Sequence, residues 1–235
     1  MTVGRTLRLA AVVALLSVAV PAAAYAERVS LTFYGGLFGN KEYVQGWEGI
    51  AASVGVHERV ALLGRITGVH IIEADRFREG HSGIGEGGLG FTLAPNTTLA
   101  VLGGTYFGEI EDPIIDGQFS TAQLIADRWF YLSVGGLYGF ESNRWQNNIY
   151  LSTPITDPQE DVILFAGVES ILYNEGRFRE GDDFVRNPDH DDVRVQVGPT
   201  LSIYKRSWDA GVRFGAGGGD FGPYGSMALW KTVSF

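Results

Sequence analysis

Val193-Arg194-Val195-Gln196-Val197-Gly198-Pro199-Thr200-Leu201-Ser202-Ile203 is the stretch on which the fold turns. Its valines, leucine and isoleucine occupy odd positions, and its arginine, glutamine, threonine and serine occupy even ones. Successive side chains of an extended strand point to opposite faces, so this is a strand with one apolar and one polar side. A helix would scatter the same residues around its axis. The pattern recurs where Val29, Leu31, Phe33, Gly35 and Leu37 alternate with Ser30, Thr32, Tyr34 and Gly36. Phe130, Leu132, Val134 and Tyr138 share a parity, as do Trp208, Ala210, Val212 and Phe214. Twelve such segments follow one another, at about 28-38, 46-56, 59-73, 83-93, 98-108, 114-126, 129-140, 144-155, 161-173, 192-204, 207-217 and 224-235.

Composition agrees with a strand protein. Glycine supplies 33 of 235 residues, about twice its ordinary usage of ~7%. Each glycine inside a helix costs ~1 kcal/mol, which disfavours a helical bundle. With 45% hydrophobic and 19% charged residues the chain has enough apolar surface to fold. A formal charge of -9 argues against a nucleic-acid groove, which needs clustered lysine and arginine. The absence of cysteine excludes a disulfide framework, a thiol nucleophile and thiolate metal ligands.

The first segment reads as a leader. Arg5 and Arg8 precede an apolar run from Leu9 to Val20, Pro21 breaks it, and Ala24-Tyr25-Ala26 offers small residues for cleavage. The run is short for a membrane-spanning helix, which needs ~20 residues. The expectation is a signal peptide over 1–26 and a single exported domain over 27–235. The turns at 56–59, 94–97, 127–128 and 205–206 are short. Between them fall mostly longer, charged or glycine-rich connections at 39–45, 74–82, 109–113, 141–143, 174–191 and 218–223. Short turns at one end and long loops at the other are the layout of a closed antiparallel transmembrane barrel.

Phe235, Val233, Leu229 and Met227 share the final parity, with Ser234, Thr232 and Ser226 on the other. A terminal phenylalanine behind alternating apolar residues resembles the last strand of Gram-negative outer-membrane β-barrels. The resemblance covers the leader, the strand pattern and the terminus, and implies an all-β, porin-like barrel of about twelve strands in the outer membrane. Outer-membrane lipid and lipopolysaccharide are then its expected surroundings. Lys231 departs from the pattern by falling on the lipid-facing parity. Near the periplasmic boundary such a side chain can snorkel to water.

Two motifs repeat. Gly35-Gly36-Leu37-Phe38-Gly39 returns as Gly135-Gly136-Leu137-Tyr138-Gly139. Arg76-Phe77-Arg78-Glu79-Gly80 returns unchanged as Arg177-Phe178-Arg179-Glu180-Gly181. Trp47 and Ile50 find counterparts in Trp145 and Ile149, and Val60 to Leu63 in Val162 to Phe165. The expectation is two six-strand pseudo-repeats, with the two Arg-Phe-Arg-Glu-Gly segments in outer loops facing each other across the mouth.

The polar parity should line the lumen. It carries Arg65, Glu86, Gln146, Asn148, Tyr150, Glu169, Arg194, Gln196, Asp209 and Arg213. The charged candidates are Arg65, Glu86, Glu169, Arg194 and Arg213. Two readings stay open: a charged constriction that selects solutes, or a plugging network whose charges satisfy one another. Gly88, Gly198, Gly211 and Gly215 fall on the inward parity and are expected to free space there.

Catalytic and metal chemistry find little support. His57 sits in a turn, His70 on the lipid-facing parity and His190 in an acidic loop, which leaves His81 beside Ser82 as the remaining base for a serine mechanism. No partner at a readable spacing completes it, and the His-x-Ser pattern of twelve-strand phospholipase barrels is missing. The acidic loop, with Glu175, Asp182, Asp183, Asp189, Asp191 and Asp192, lacks a spaced calcium series. No metal, no cofactor and no catalytic residue is therefore expected. The leading functional reading is a pore for a small polar solute. A non-conducting accessory barrel is the alternative: Gly39-Asn40-Lys41-Glu42-Tyr43 and the glycine-rich last hairpin are faintly similar to a barrel family associated with cellulose secretion, which would make a glycan the partner. A surface lipid hydrolase stands third. The sequence leaves the oligomeric state undecided.

Overall fold

The computed structural model describes residues 28–41, 43–74, 80–108, 111–174, 177–180, 183–186, 193–220 and 222–235. The signal peptide expected over 1–26 and the segment Arg76–Glu79 lie outside them. Fourteen strands form: β1 Val29–Asn40, β2 Tyr43–His57, β3 Val60–Ala74, β4 Gly80–Ala94, β5 Thr97–Gly108, β6 Asp112–Ile125, β7 Arg128–Gly139, β8 Trp145–Pro154, β9 Val162–Asn174, β10 Arg177–Glu180, β11 Asp183–Arg186, β12 Arg194–Lys205, β13 Ala210–Gly219 and β14 Gly222–Ser234. Twelve of them close an antiparallel barrel in the order β1-β14-β13-β12-β9-β8-β7-β6-β5-β4-β3-β2. β10 and β11 pair apart from it as a small hairpin.

The twelve segments read from alternation correspond one to one with the barrel strands. Their ends differ for a physical reason. A tilted strand needs ~9–11 residues to cross a bilayer, whereas β2, β3 and β4 each run for 15. Alternation continues beyond the membrane, so most connections expected to be long outer loops shrink to a few residues. The exception is the stretch between β9 and β12, where Arg177, Phe178, Arg179 and Glu180 form strand β10 instead of loop.

Seam by seam, the register sets the two faces. Phe33, Leu37, Ile50, Leu89, Val101, Ile115, Leu151, Val168, Val197, Leu201, Phe214 and Leu229 remain exposed on the outer wall. A water-soluble protein has little reason to leave such a continuous apolar belt uncovered. Among the described residues no helix is long and apolar enough to cross a membrane, so any crossing is by strands. β1 and β14 close the ring, with Thr32 facing Thr232 and their hydroxyls 3.0 Å apart. Both ends of the barrel, Val29 and Phe235, meet at the end that holds the two-residue turns, through Phe235 N–H donating to Val29 O. The β9–β12 connection, the longest in the chain, leaves from the opposite end.

The turns follow their chemistry. Ala126 and Asp127, joining β6 to β7, both have positive φ (49° and 61°), the backbone that matches the twist of a two-residue hairpin. Asp209, expected to line the lumen, instead ends the short 3-10 turn Arg206–Trp208 with φ 44° and accepts the Tyr204 hydroxyl at 2.9 Å. Lys231, the outlier of the last strand, donates its Nζ to the Trp208 carbonyl at 2.9 Å. It thus reaches the periplasmic turn, as snorkelling requires.

The glycine repeat lands on strands six apart, β1 and β7. Its faces disagree. Leu37 pairs with Met227 on the outer wall and is 45% exposed, whereas Leu137 pairs with Asp116 on the lumen side. A one-residue shift in register exchanges the faces of a strand, so the matched letters are not matched positions.

Candidate functional site

The lumen holds two polar walls. On the first, the Arg65 guanidinium of β3 lies across β4 and β5. Its Nε and Nη2 are both 2.6 Å from Glu86 Oε2 on β4, and its Nη2 also donates to Asp116 Oδ2 on β6. The contact crosses two strands because Gly104 on β5 has no side chain: a Cβ there would stand 2.8 Å from Glu86 Cγ. Asp116 accepts a further bond from Gln118 Nε2 at 3.1 Å. Glu86 and Asp116 are buried. One cation thus stands between two buried carboxylates, and the second oxygen of Glu86 has no hydrogen-bond partner among the described residues. Tyr34, from β1, closes the neighbouring row by bonding Thr67 at 2.5 Å.

Across the barrel, the second wall meets its carboxylate with hydroxyls. Glu169 on β9 is buried and accepts the Ser226 hydroxyl of β14 at 3.0 Å. Tyr150 and Ser202 approach to 3.1 Å through their hydroxyls, and the Arg213 guanidinium stands 4.7 Å from the Tyr150 ring. Gln196 is 1% exposed with both amide atoms unpartnered, and the Thr200 hydroxyl is likewise unpartnered. Arg194 faces Tyr173 at the extracellular end of β12, while Glu169 faces Gly198 four positions lower. The two are therefore not a cross-strand pair.

Between the walls lies a third sector, on β7 and β8. Gln146 and Asn148 point inward yet remain exposed, 3.2 Å apart through Nε2 and Oδ1. Asn148 pairs with Gly135, where an added Cβ would meet nothing within 4 Å. Here the lumen is open to solvent, and both of these groups are neutral.

The expected lumen residues Arg65, Glu86, Glu169, Arg194 and Arg213 all face inward. The reading of the glycines needs correction. Gly215 does not open space: a Cβ there would overlap Glu169 Oε1 and Ser226 Oγ. At Gly211 it would overlap the Trp230 ring, and at Gly88 and Gly198 the backbone of the adjoining strand. Gly211 and Gly215 make room for side chains laid across them, and Gly88 and Gly198 for the close approach of the next strand. Asp116 and Ser226 were legible as inward by parity, but their importance depends on a three-strand reach and a cross-strand contact that spacing does not reveal.

A separate cluster sits on the outer wall near the extracellular end. His70 on β3 and His81 on β4 are direct register partners, and their Nδ1 atoms lie 2.7 Å apart. Glu48 Oε1 on β2 lies 2.7 Å from His70 Nε2. Gly68 permits that approach, since a Cβ there would stand 2.7 Å from Glu48 Oε1. His81 belongs to a strand, not a loop, and its neighbour Ser82 pairs with Val69 on the opposite face. The two therefore cannot act together as base and nucleophile. Among the described residues no three His, Asp or Glu side chains converge as metal ligands.

No protein-family model matches the chain, and no curated protein matches it in sequence. Solved structures match in fold. An outer-membrane channel from Pseudomonas putida F1 aligns with TM-score 0.53 and 11% identity, over 89% of this chain and 96% of that one. LpxR from Salmonella typhimurium gives 0.55 and 11%, over 87% and 99%. The NanC porin gives 0.50 and 12%, over 86% and 98%. The chain thus has the fold of an outer-membrane β-barrel: a closed twelve-strand ring with an apolar outer wall and a polar interior, similar to these structures.

Proposed function

We infer that the barrel is a narrow pore for small, polar, predominantly uncharged solutes, with outer-membrane lipid against its apolar wall. The observation that carries this is the division of the lumen. Its carboxylates Glu86, Asp116 and Glu169 are buried against the two walls, while Gln146 and Asn148, exposed on the inward face, are neutral amides beside the open position at Gly135. Amides donate and accept hydrogen bonds without favouring either sign of charge. A solute entering there exchanges water contacts for amide contacts and meets few fixed charges.

Planar-bilayer recording on the refolded protein tests this. Stepwise conductance with weak ion selectivity is expected, and Asn148→Trp should lower the unit conductance while the barrel still shows the heat-modifiable migration of the folded form. A folded preparation that carries no current overturns the pore. A non-conducting accessory barrel is the second reading, favoured by the dense burial of Glu86, Asp116, Gln196 and Thr200. Loss of glycan export on deletion, together with silence in bilayers, would identify it.

A further inference from the structure

We propose that His70 and His81, with Glu48 hydrogen-bonded behind His70, form a two-nitrogen site for a late first-row divalent transition metal, copper(II) foremost, on the outer wall of the barrel. Three strands converge to build it, and the ladder register sets the central pair, since His70 and His81 face each other across the β3–β4 hairpin.

The proton inventory leads to the ligand set. An ionised Glu48 can only accept, so the His70 proton that meets it is on Nε2. With His70 neutral, its Nδ1 then carries a lone pair. That lone pair points at His81 Nδ1, 2.7 Å away, which donates in the metal-free pair. Moving the His81 proton from Nδ1 to Nε2 leaves a lone pair on each Nδ1, and neither ring has to lose a proton; the rings meet nearly end to end, their centroids 4.9 Å apart, so each turns about its Cβ–Cγ bond to bring both lone pairs to one metal. A carboxylate bound to the far nitrogen of a ligating histidine is the usual outer partner of a metal imidazole: it fixes the tautomer and raises basicity. Gly68 lets Glu48 reach across β3 to supply it.

The spacing discriminates among metals. Two nitrogens at ~2.0 Å from a metal stand about 2.8 Å apart in cis positions of a square-planar or tetragonal site, and about 3.3 Å apart in a tetrahedral one. The observed 2.7 Å is nearer the tetragonal separation than the tetrahedral one, and either metal requires both rings to turn out of their end-to-end contact. Copper(II) adopts tetragonal nitrogen sites and stands at the top of the divalent affinity series. Water completes the coordination. Among the described residues of the outer wall, Ile66 and Gly68 lie below His70, and Gly83 and Gly85 below His81.

Copper(II) titration of untagged, refolded protein in detergent micelles, followed by electron paramagnetic resonance, tests the site. One equivalent should bind with superhyperfine structure from two nitrogens. His70→Ala and His81→Ala should each weaken uptake at least tenfold and remove one nitrogen. Glu48→Gln should weaken it ~10–100-fold while both nitrogens remain, the signature of a residue acting through its neighbour. Zinc(II) should compete less well than copper. Heat-modifiable migration confirms that each variant is folded, and Glu48→Gln, on the exposed outer wall, provides the variant least able to disturb the barrel. No stoichiometric uptake by the wild type, or the same spectrum and affinity in the histidine variants, overturns the proposal. The same applies if both signals move to His57→Ala.

Discussion

On the β3–β6 wall Arg65 gathers Glu86 and Asp116 around one guanidinium; on the β9–β14 wall Glu169 is met by the Ser226 hydroxyl over a floor of glycine. Both arrangements bury carboxylates inside a sheet that faces lipid on its other side. The first relies on opposite charge and is brittle, because removal of one member strands the others. The second relies on shape and neutral donors and tolerates the loss of a charge. Charge inside this barrel is therefore not one property but two, and the accessible amides of β7 and β8 lie where neither wall reaches.

The largest separation between the walls should come from charge removal. Arg65→Met leaves two buried carboxylates without their cation and should cost about 3–5 kcal/mol of unfolding free energy. Glu169→Gln keeps an acceptor for Ser226 and should change stability by less than about 1 kcal/mol. Urea unfolding of the refolded barrels in lipid vesicles measures both. Equal losses would erase the distinction. The triple change Arg65→Met, Glu86→Gln, Asp116→Asn should recover most of what the single change loses, since it removes the charges together.

A smaller effect separates crowded glycine from open glycine. Gly215→Ala forces a methyl group into Glu169 and Ser226 and should cost about 1–3 kcal/mol, as overpacked cores do. Gly135→Ala, with nothing within 4 Å, should stay within about 0.5 kcal/mol of wild type. Comparable losses at both positions would mean that glycine serves the strand backbone and not its neighbours.

The smallest effect lies outside both walls. In the turn between β8 and β9, Asp161 accepts the Ser207 backbone N–H at 2.7 Å and its hydroxyl at 3.0 Å. Those bonds from Ser207 hold its carboxyl below the usual range. A carboxyl depressed in the folded state stabilises fully above the ordinary aspartate value of about 3.9 and loses that contribution as pH falls through its own lower value. The protection of the Ser207 amide, its exchange rate relative to that of an unprotected amide at the same pH, should therefore fall on acidification below pH ~4. Asp161→Asn should abolish that dependence, and a flat profile in the wild type would remove this anchor.

Much of the architecture was legible in the sequence because period-two alternation is a local property. Twelve segments, their inward and outward faces, and even the snorkelling role of Lys231 follow from neighbours a few residues apart. What alternation could not carry was register. His70 and His81 are eleven residues apart, and only the β3–β4 ladder sets one opposite the other. Asp116 reaches Arg65 across two intervening strands for the same reason. The glycine motifs show the converse: Gly35–Gly39 and Gly135–Gly139, alike in four of five letters, present opposite faces, because sequence similarity does not fix strand phase. The inward glycines misled by being judged one strand at a time, whereas Glu169 and Trp230 fill the space from next door.

The seam between β1 and β14 has a consequence for assembly. Thr32 and Thr232, which meet there, are separated by 200 residues, whereas most other seams join strands adjacent in the chain. Until that seam forms, the first and last strands each present a ladder of unsatisfied amide and carbonyl groups, which hydrocarbon does not tolerate. Ring closure and entry into the bilayer are thus one event: a half-built sheet of this chain has two open borders and no solvent in the membrane to cover them. The final strand, rather than any interior group, governs when this molecule becomes a membrane protein.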